Sequence, residues 1–282
     1  MILWAFAWYF RRAMTSWVTL ALVIVLAIYL FGFLKPRYDR DWAGPYRRPP
    51  EVVIGGEGTT VTVSDLRDFR WPASGEPEER WTRDTFDLSL LDAVDLIIEP
   101  LEDSSYFAHA MLSFRFGSEK RVIVSIEARR ENGESFGLLP GLFKQFELMY
   151  QITMEEDSLM LRAREPDSHL YIVPIKSTSE FRRELFLDMM NAARMLVEEP
   201  RFYHSLRSNC TTALFDHMNA RLPKPVGYGK EVLFPAQAPA LLHRLDWLAN
   251  DLVWPRDKKA LESAQRVRDS VGESSFSNKV RE

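Results

Sequence analysis

The single cysteine of the 282-residue chain, Cys210, stands in the stretch Arg207-Ser208-Asn209-Cys210-Thr211-Thr212. Residues 213–221 are predicted to form a helix, and either Ser208 or Asn209 is suited to cap its start. Cys210 would then lie in the first turn, where free backbone N–H groups and the positive end of the helix dipole favour an anion. This environment lowers a thiol pKa and predicts a nucleophilic thiolate, although most free cysteines are buried and inert.

A nucleophilic thiol needs a base, and His109 is the best placed of the five histidines. It opens a predicted strand, and an imidazole on a strand that faces a helix start has the geometry of a cysteine–histidine pair. His217 lies on the same helical face as Cys210, but about 10.5 Å along the axis, which is too far for a hydrogen bond. We therefore predict that His109 is the base.

The following strand offers a carboxylate, Glu127, to orient the imidazole. A carboxylate that bonds one ring nitrogen fixes the tautomer, so that the other nitrogen serves the thiol. The alternative for Glu127 is a cross-strand ion pair with Arg115 or Arg129. The predicted catalytic residues are thus Cys210, His109 and Glu127.

The elements that must position these side chains come as strands first and helices afterwards. Strands are predicted at 94–99, 109–116, 122–129, 150–155, 159–164 and 169–175. The second and third alternate apolar and polar residues and form an antiparallel hairpin. Helices are predicted at 140–149 and, with clear amphipathic spacing, at 179–197. This order indicates an α+β domain.

Composition excludes several classes of function. The 36 basic and 40 acidic residues give a net charge of −4, so no binding of nucleic acid is expected. One cysteine excludes a disulfide framework, and the histidines and carboxylates show no metal-site spacing. We therefore predict no metal and no cofactor.

The N-terminal region contains an uncharged apolar run from Trp17 to Leu34. As a helix this run spans roughly 27 Å, which is enough to cross a bilayer core. It is longer than the apolar part of a signal peptide and offers no cleavage site, so we predict an uncleaved, single-pass transmembrane helix at about 14–34. The basic residues that follow would place the domain in the cytoplasm by the positive-inside rule, but long domains translocate against that bias.

Four segments follow from these features. Residues 1–34 are predicted to be the membrane anchor, and residues 35–63 a Pro- and Arg-rich tether with a short β segment. Residues 64–254 would form the catalytic domain, and residues 255–282 a charged, disordered tail.

Four motifs resemble those of a known family. They are Ala-His-Ala-Met-Leu-Ser-Phe-Arg-Phe at 108–116, Val-Ser-Ile-Glu-Ala-Arg at 124–129, Gly-Leu-Phe-Lys-Gln-Phe-Glu-Leu-Met-Tyr at 141–150 and Ser-Asn-Cys-Thr-Thr at 208–212. From about Asp65 to about Arg221 the chain is similar to the periplasmic domain of Lnb-type bacterial lipoprotein N-acyltransferases. The resemblance implies a permuted papain-like thiol fold, in which the histidine strand precedes the cysteine helix.

The resemblance also implies roles for residues within the motifs. Cys210 would be the nucleophile, His109 the base and Glu127 the group that orients it. Substrate binding is predicted for five further motif residues, namely Ser113, Arg129, Lys144, Tyr150 and Asn209.

The predicted function is therefore that of a membrane-anchored thiol acyltransferase or hydrolase at the periplasmic side of a bacterial inner membrane. Cys210 would attack an ester or amide carbonyl and form an acyl-enzyme thioester, with its own backbone N–H as one oxyanion donor. The expected partner is a membrane lipid or a lipoprotein, as in lipoprotein N-acylation. The apolar residues 137–150 would line an acyl groove, or else form an ordinary core helix.

Two alternatives remain open at this point. A cell-wall cysteine peptidase or amidase would use the same site on a polar peptide, and predicts a wide polar cleft beside Cys210. A non-catalytic, membrane-anchored scaffold domain predicts an unreactive Cys210, with a thiol pKa near its ordinary value of about 8.5.

Overall fold

The computed structural model of the chain describes residues 2–72, 75–101, 104, 106–118, 120–222, 224–227 and 229–282. The strands are β1 (Glu51–Gly55), β2 (Thr60–Arg67), β3 (Trp81–Asp87), β4 (Leu91–Pro100), β5 (Ala108–Phe116), β6 (Lys120–Arg129), β7 (Glu147–Met154) and β8 (Tyr171–Pro174). The helices are α1 (Ile2–Gly32), α2 (Leu138–Leu142), α3 (Glu155–Ala163), α4 (Ser179–Glu198), α5 (Cys210–Asn219), α6 (Lys230–Leu233), α7 (Ala238–Arg244), α8 (Lys258–Leu261), α9 (Ala264–Asp269) and α10 (Phe276–Lys279).

One sheet contains all eight strands, in the order β1-β2-β7-β6-β5-β4-β8, with β3 paired to β2. Neighbours are antiparallel except β2 and β7, which run parallel and pair at Arg67 and Thr153. The α+β class and the antiparallel hairpin of β5 and β6 are confirmed. Local signals were sufficient for the hairpin, because alternation identifies each strand and the tight turn at Gly117, where φ is +69°, makes the two strands antiparallel.

Helices cover both faces of the central strands. Helices α4 and α5 pack on one face, whereas α3 packs on the other and is itself covered by α9 and α10. In β5 the side chains of Ala110, Leu112 and Phe114 belong to the core of the first face, and Met111 belongs to that of the second. Polar residues of the central strands are therefore buried as well, and they need partners inside the protein.

Two local predictions around α3 and α2 are wrong. Residues 159–164, predicted as a strand, lie mostly in α3, whose first turn carries three acidic residues that suit the positive end of the helix dipole. Leu159 and Ala163, one helical turn apart, are both buried against the sheet. The helix predicted over 140–149 is limited to α2, because β7 begins at Glu147 and continues the sheet.

The N-terminal helix α1 runs from Ile2 to Gly32, which differs from the predicted span at about 14–34. Met1, the first residue of the predicted anchor, lies outside the described residues. Large apolar side chains between Met14 and Phe33 are exposed. Among the residues described, no helix combines the length and the apolar character needed to cross a membrane. The predicted membrane anchor is therefore not confirmed.

The C-terminal segment 255–282 is folded, which corrects the predicted disorder. It forms α8, α9 and α10, and Phe276 is buried against α3. Arg281 donates to two buried carboxylates, Asp95 of β4 at 2.8 Å and Glu155 of α3 at 2.6 Å. The charged composition suggested a solvated tail, but part of this charge neutralises carboxylates that are far away in the sequence.

We expect Arg281→Ala to lower the free energy of unfolding by about 2–4 kcal/mol, somewhat less than the about 3–5 kcal/mol typical of a broken buried pair. The loss is smaller because Arg121 still donates to Asp95, at 2.6 Å. Urea unfolding measures the change. The control is Arg256→Ala, which loses only an exposed pair with Asp257 and should leave the midpoint unchanged. Equal midpoints for Arg281→Ala and the wild type would contradict this role.

Candidate active site

Cys210 is the first residue of α5, and Asn209 is the N-cap. Asn209 Oδ1 accepts hydrogen bonds from the N–H groups of Thr211 at 3.0 Å and Thr212 at 2.9 Å, and Thr212 Oγ1 accepts from the Asn209 N–H at 3.0 Å. This capping box satisfies the second and third N–H groups of the helix. The N–H of Cys210 has no partner within the described chain and remains available to a ligand.

The sulfur of Cys210 lies where β5 and β6 separate. The ladder between these strands ends at the pair Met111 and Ser125. Beyond that pair, Sγ is 3.9 Å from the carbonyl oxygen of Ala108, and the backbone of Ala110 lies close enough to lower the pKa of the thiol. The Cys210 side chain is buried there, so polar backbone groups of β5 take the place of solvent around it.

His109 connects the sulfur to a carboxylate. Its Nε2 lies 2.7 Å from Ser125 Oγ and 3.1 Å from Glu127 Oε1, and the Ser125 hydroxyl donates to the same Oε1 at 2.6 Å. Nε2 therefore carries a proton toward these acceptors, and the imidazole lies near enough to Cys210 for the two groups to interact electrostatically. The structure thus brings together the three residues that the sequence predicted to be catalytic, with Ser125 between two of them.

The charges of the site favour a thiolate beside an imidazolium. Burial alone lowers the pKa of His109, but the negative charges of Glu127 and Cys210 outweigh it and raise that pKa to about 10. Burial alone raises the pKa of Cys210, but the imidazolium of His109 beside it holds that pKa below its usual value. The pKa of Glu127 is likewise well below its usual range, because His109 and Arg162 outweigh the effect of burial. His109 and Glu127 are therefore charged near neutral pH, and their arrangement favours the thiolate form of Cys210.

Arg162 on α3 holds the carboxylate end of the site. Its Nη2 donates to Glu127 Oε1 at 2.9 Å, and its Nε lies 3.1 Å from Glu99 Oε2. Its Nη1 donates to the carbonyl oxygen of Ser158 at 3.0 Å, which fixes the guanidinium against its own helix. The second face of the sheet thus supplies the charge that keeps Glu127 ionised.

A cavity of about 650 Å³ opens beside the sulfur. The polar part of its wall includes His109, Glu127 and Cys210, whereas most of the wall is apolar. Five apolar side chains of the wall are between 39% and 67% exposed, namely Phe107, Phe136, Leu138, Leu139 and Leu206. The mouth of the cavity is therefore apolar as well as its interior.

Of the five residues predicted to bind substrate, only Asn209 lines the cavity, and its side chain is occupied by the helix cap. The prediction for Ser113 is corrected, because its hydroxyl donates to Glu155 at 2.6 Å under α3. Arg129 is also buried, with its guanidinium 4.1 Å from the ring centroid of Trp42. Both side chains belong to strands whose faces are covered, so neither reaches the cavity.

Lys144 and Tyr150 are likewise outside the cavity wall. The Lys144 ammonium lies 5.4 Å from the ring centroid of Phe202. The Tyr150 hydroxyl is 2.5 Å from His217 Nε2, and His217 Nδ1 is 2.5 Å from Asp188 Oδ2. This chain of contacts joins β7 to α5 and α4, so Tyr150 helps to position the cysteine helix instead of binding substrate.

Sequence reasoning missed two residues of the site. Ser125 stands two positions before Glu127 on β6, so strand alternation already placed both on one face. Arg162 was assigned to a strand at 159–164, and its approach to Glu127 from α3 followed only from the correct helix. The first signal was local and available, whereas the second required the tertiary structure.

The fold and the site define an α+β protein with a cysteine–histidine pair at the start of a helix. Residues 77–236, more than half of the chain, match the family described as the Lnb N-terminal periplasmic domain, and the chain belongs to this family. The resemblance seen in the four motifs is thereby confirmed, and it supports a bacterial, periplasmic domain. No curated protein and no solved structure matches the chain significantly, and the permuted papain-like topology stays a prediction.

We expect the rate of Cys210 alkylation by iodoacetamide to fall on the acid side with a midpoint below about pH 8.5, the ordinary thiol pKa. This fall is called the acid limb. The reason is that the imidazolium of His109, whose pKa is about 10, favours the thiolate. In His109→Asn, the effect of burial loses its main opponent, so the pH midpoint of alkylation should move higher than in the wild type. Intact-protein mass spectrometry over a pH series measures both rates. A wild-type limb at or above pH 8.5 would contradict the thiolate–imidazolium pair.

We expect Glu127→Gln to move the same acid limb to higher pH. The negative carboxylate raises the pKa of His109, so its removal lowers that pKa and weakens the stabilisation of the thiolate. The control is Glu51→Gln, which changes an exposed carboxylate on β1 outside the cavity wall. An unchanged alkylation profile in Glu127→Gln would show that this carboxylate does not act on the pair.

Proposed function

We propose that this domain is a thiol acyltransferase or hydrolase whose acyl group is an apolar chain. The observation that carries the proposal is that a Cys210–His109 pair, supported by Glu127, opens directly into a largely apolar cavity. The polar end of the cavity supplies a nucleophile and a proton carrier, and the apolar remainder supplies room for a hydrocarbon chain. These are the two parts that acyl transfer from a lipid requires.

The proposed first step forms a thioester. The Cys210 thiolate donates an electron pair to the carbonyl carbon of an ester or amide, a C–S bond forms, and the carbonyl π pair moves onto oxygen. When this pair returns, the bond to the leaving oxygen or nitrogen breaks. The His109 imidazolium gives its proton to that leaving atom, and the acyl chain stays on sulfur.

The second step transfers the chain to an acceptor. His109, now neutral, takes a proton from an amine or from water as the acceptor attacks the thioester carbonyl. The C–S bond breaks, its electron pair returns to Cys210 as the thiolate, and the proton restores the imidazolium. An amine acceptor corresponds to lipoprotein N-acylation, and water corresponds to hydrolysis.

The chemistry of the wall supports a membrane lipid or a lipoprotein as substrate. Leu138 and Leu139 of α2 belong to the wall, so the apolar segment that was predicted to line an acyl groove contributes to the cavity. Leu139 is 67% exposed, which gives the mouth an apolar rim beside solvent. Such a rim suits a substrate that arrives from a lipid surface at the periplasmic side of a membrane.

The two competing functions receive less support. A peptidase or amidase acting on cell-wall peptides would need a polar cleft, whereas the wall beside Cys210 is mainly apolar. A scaffold domain would have no need of a depressed Cys210 pKa or of the buried charges of Glu127 and Arg162 beside it. Keeping such charges inside a protein is unfavourable without a function that uses them.

We expect incubation with phospholipid to give wild-type protein a mass increase equal to one acyl chain, and Cys210→Ala to show none. Hydroxylamine at neutral pH should remove the adduct, since it cleaves thioesters. Intact-protein mass spectrometry measures both outcomes. Acyl transfer would be refuted if wild type stayed unmodified by phospholipids and short-chain esters while it cleaved peptidoglycan fragments, and the peptidase would take its place.

A further inference from the structure

We propose that the Tyr203 hydroxyl is a second donor to the oxyanion, acting together with the backbone N–H of Cys210. This inference rests on the proposed acyl-transfer function and adds one catalytic residue to it. A single backbone N–H is an incomplete oxyanion site, because the tetrahedral intermediate carries a full negative charge that two donors usually share.

The position of Tyr203 is the first observation. Its side chain is 5% exposed and lines the cavity that also contains Cys210 and Glu127. Burial raises the pKa of its hydroxyl, and the negative charges of Cys210 and Glu127 raise it further. The phenol therefore lies within electrostatic reach of the nucleophile and keeps its proton at the pH of the reaction, as a hydrogen-bond donor must.

The hydrogen bonding of Tyr203 is the second observation. Its hydroxyl has no hydrogen-bond partner within the part of the chain that the structure describes. Buried tyrosine hydroxyls usually find a partner, and Tyr46 in the same wall follows this rule by accepting from Arg130 at 2.6 Å. The Tyr203 hydroxyl has no such partner among the described residues and stays accessible from the cavity, where a bound ligand can accept its proton.

The rigidity of Tyr203 is the third observation. Its N–H donates to the carbonyl oxygen of Phe146 at 3.0 Å, and its ring packs edge-on against Phe136 with a centroid distance of 6.1 Å. Two residues later, the carbonyl oxygen of Ser205 accepts from Asn209 Nδ2 at 2.8 Å. The segment that carries the phenol is thus tied to the residue that caps the cysteine helix, and both donors are held on one unit.

Gly141 makes this packing possible. A Cβ at that position would lie 3.2 Å from Tyr203 Cε1 and too close to Ser205 Oγ, so any larger residue would displace the ring or the loop. Preorganised donors stabilise an oxyanion strongly because no reorganisation is needed when the charge appears.

The geometry assigns Tyr203 a role that leaves it chemically unchanged. As the C–S bond forms, the carbonyl π pair moves onto oxygen, and the Tyr203 O–H and the Cys210 N–H donate to that oxygen. When the leaving group departs with the proton of His109, the pair returns to re-form the carbonyl. Tyr203 retains its own proton throughout, so the step needs no further reactant.

The test compares two reactions of the same sulfur in Tyr203→Phe. Acylation by a p-nitrophenyl fatty ester passes through an oxyanion, whereas alkylation by iodoacetamide displaces iodide at a saturated carbon and forms none. We expect acylation to slow by roughly 100-fold, the usual effect of losing one oxyanion donor. The alkylation rate and its pH profile should stay at wild-type values, since the thiolate is unaffected.

The matched control is Tyr171→Phe, which removes a hydroxyl from an equally buried tyrosine on β8, outside the cavity wall, and should change neither rate. If Tyr203→Phe were acylated at the wild-type rate, the role of Tyr203 would be overturned and the proposed function would stand. An equal fall in both rates would also overturn it, because the phenol would then support the thiolate or the fold. If wild type itself is not acylated, the proposed function fails and this inference fails with it.

Discussion

The separation of β5 and β6 beyond Met111 and Ser125 is the constraint on which the site depends. Two paired strands would leave no room between them, whereas here the start of α5 brings its sulfur against the freed backbone of β5. The neighbouring residue of β5, His109, remains opposite the β6 carboxylate of Glu127. A single break in one ladder therefore brings a thiol, an imidazole and a carboxylate together, each on a regular element.

Burial then decides the electrostatics. A thiol, an imidazole and a carboxylate taken out of water would each tend toward the neutral form. Here each charge has an opposite neighbour, in the sequence Cys210, His109, Glu127 and Arg162. Charges of alternating sign stabilise one another more strongly in a medium of low dielectric than in water. The burial that disfavours the thiolate by desolvation therefore also strengthens its attraction to the imidazolium.

The sequence was informative where the signals are local. Alternation along β5 and β6 predicted the hairpin and its residues His109 and Glu127, and the cap signal before Cys210 predicted the helix start. The sequence did not predict the position of Ser113 or the folding of the C-terminal segment, because these two depend on contacts between residues far apart in the chain. The hydroxyl of Ser113 bonds Glu155, which in turn binds Arg281 from a segment that composition alone marks as solvated.

The same limit explains why four of the predicted substrate contacts lie elsewhere. A strand pattern shows that two sets of side chains point in opposite directions, but it does not show that helices cover both sets. Arg129 and Tyr150 were assigned to a ligand because they are polar residues of the motifs, yet the first stacks on Trp42 and the second bonds His217. Polar residues of a doubly covered sheet find their partners within the protein.

The size of the cavity bears on the fate of the thioester in the proposed reaction. At about 30 Å³ for each molecule of water, the volume of about 650 Å³ holds roughly twenty. A long hydrocarbon tail would expel most of them and leave the sulfur–carbonyl bond dry until an acceptor enters, whereas a short tail would leave solvent standing beside it. The proposed site would thus transfer long acyl chains to amines and hydrolyse short ones, so that chain length would decide between transfer and hydrolysis.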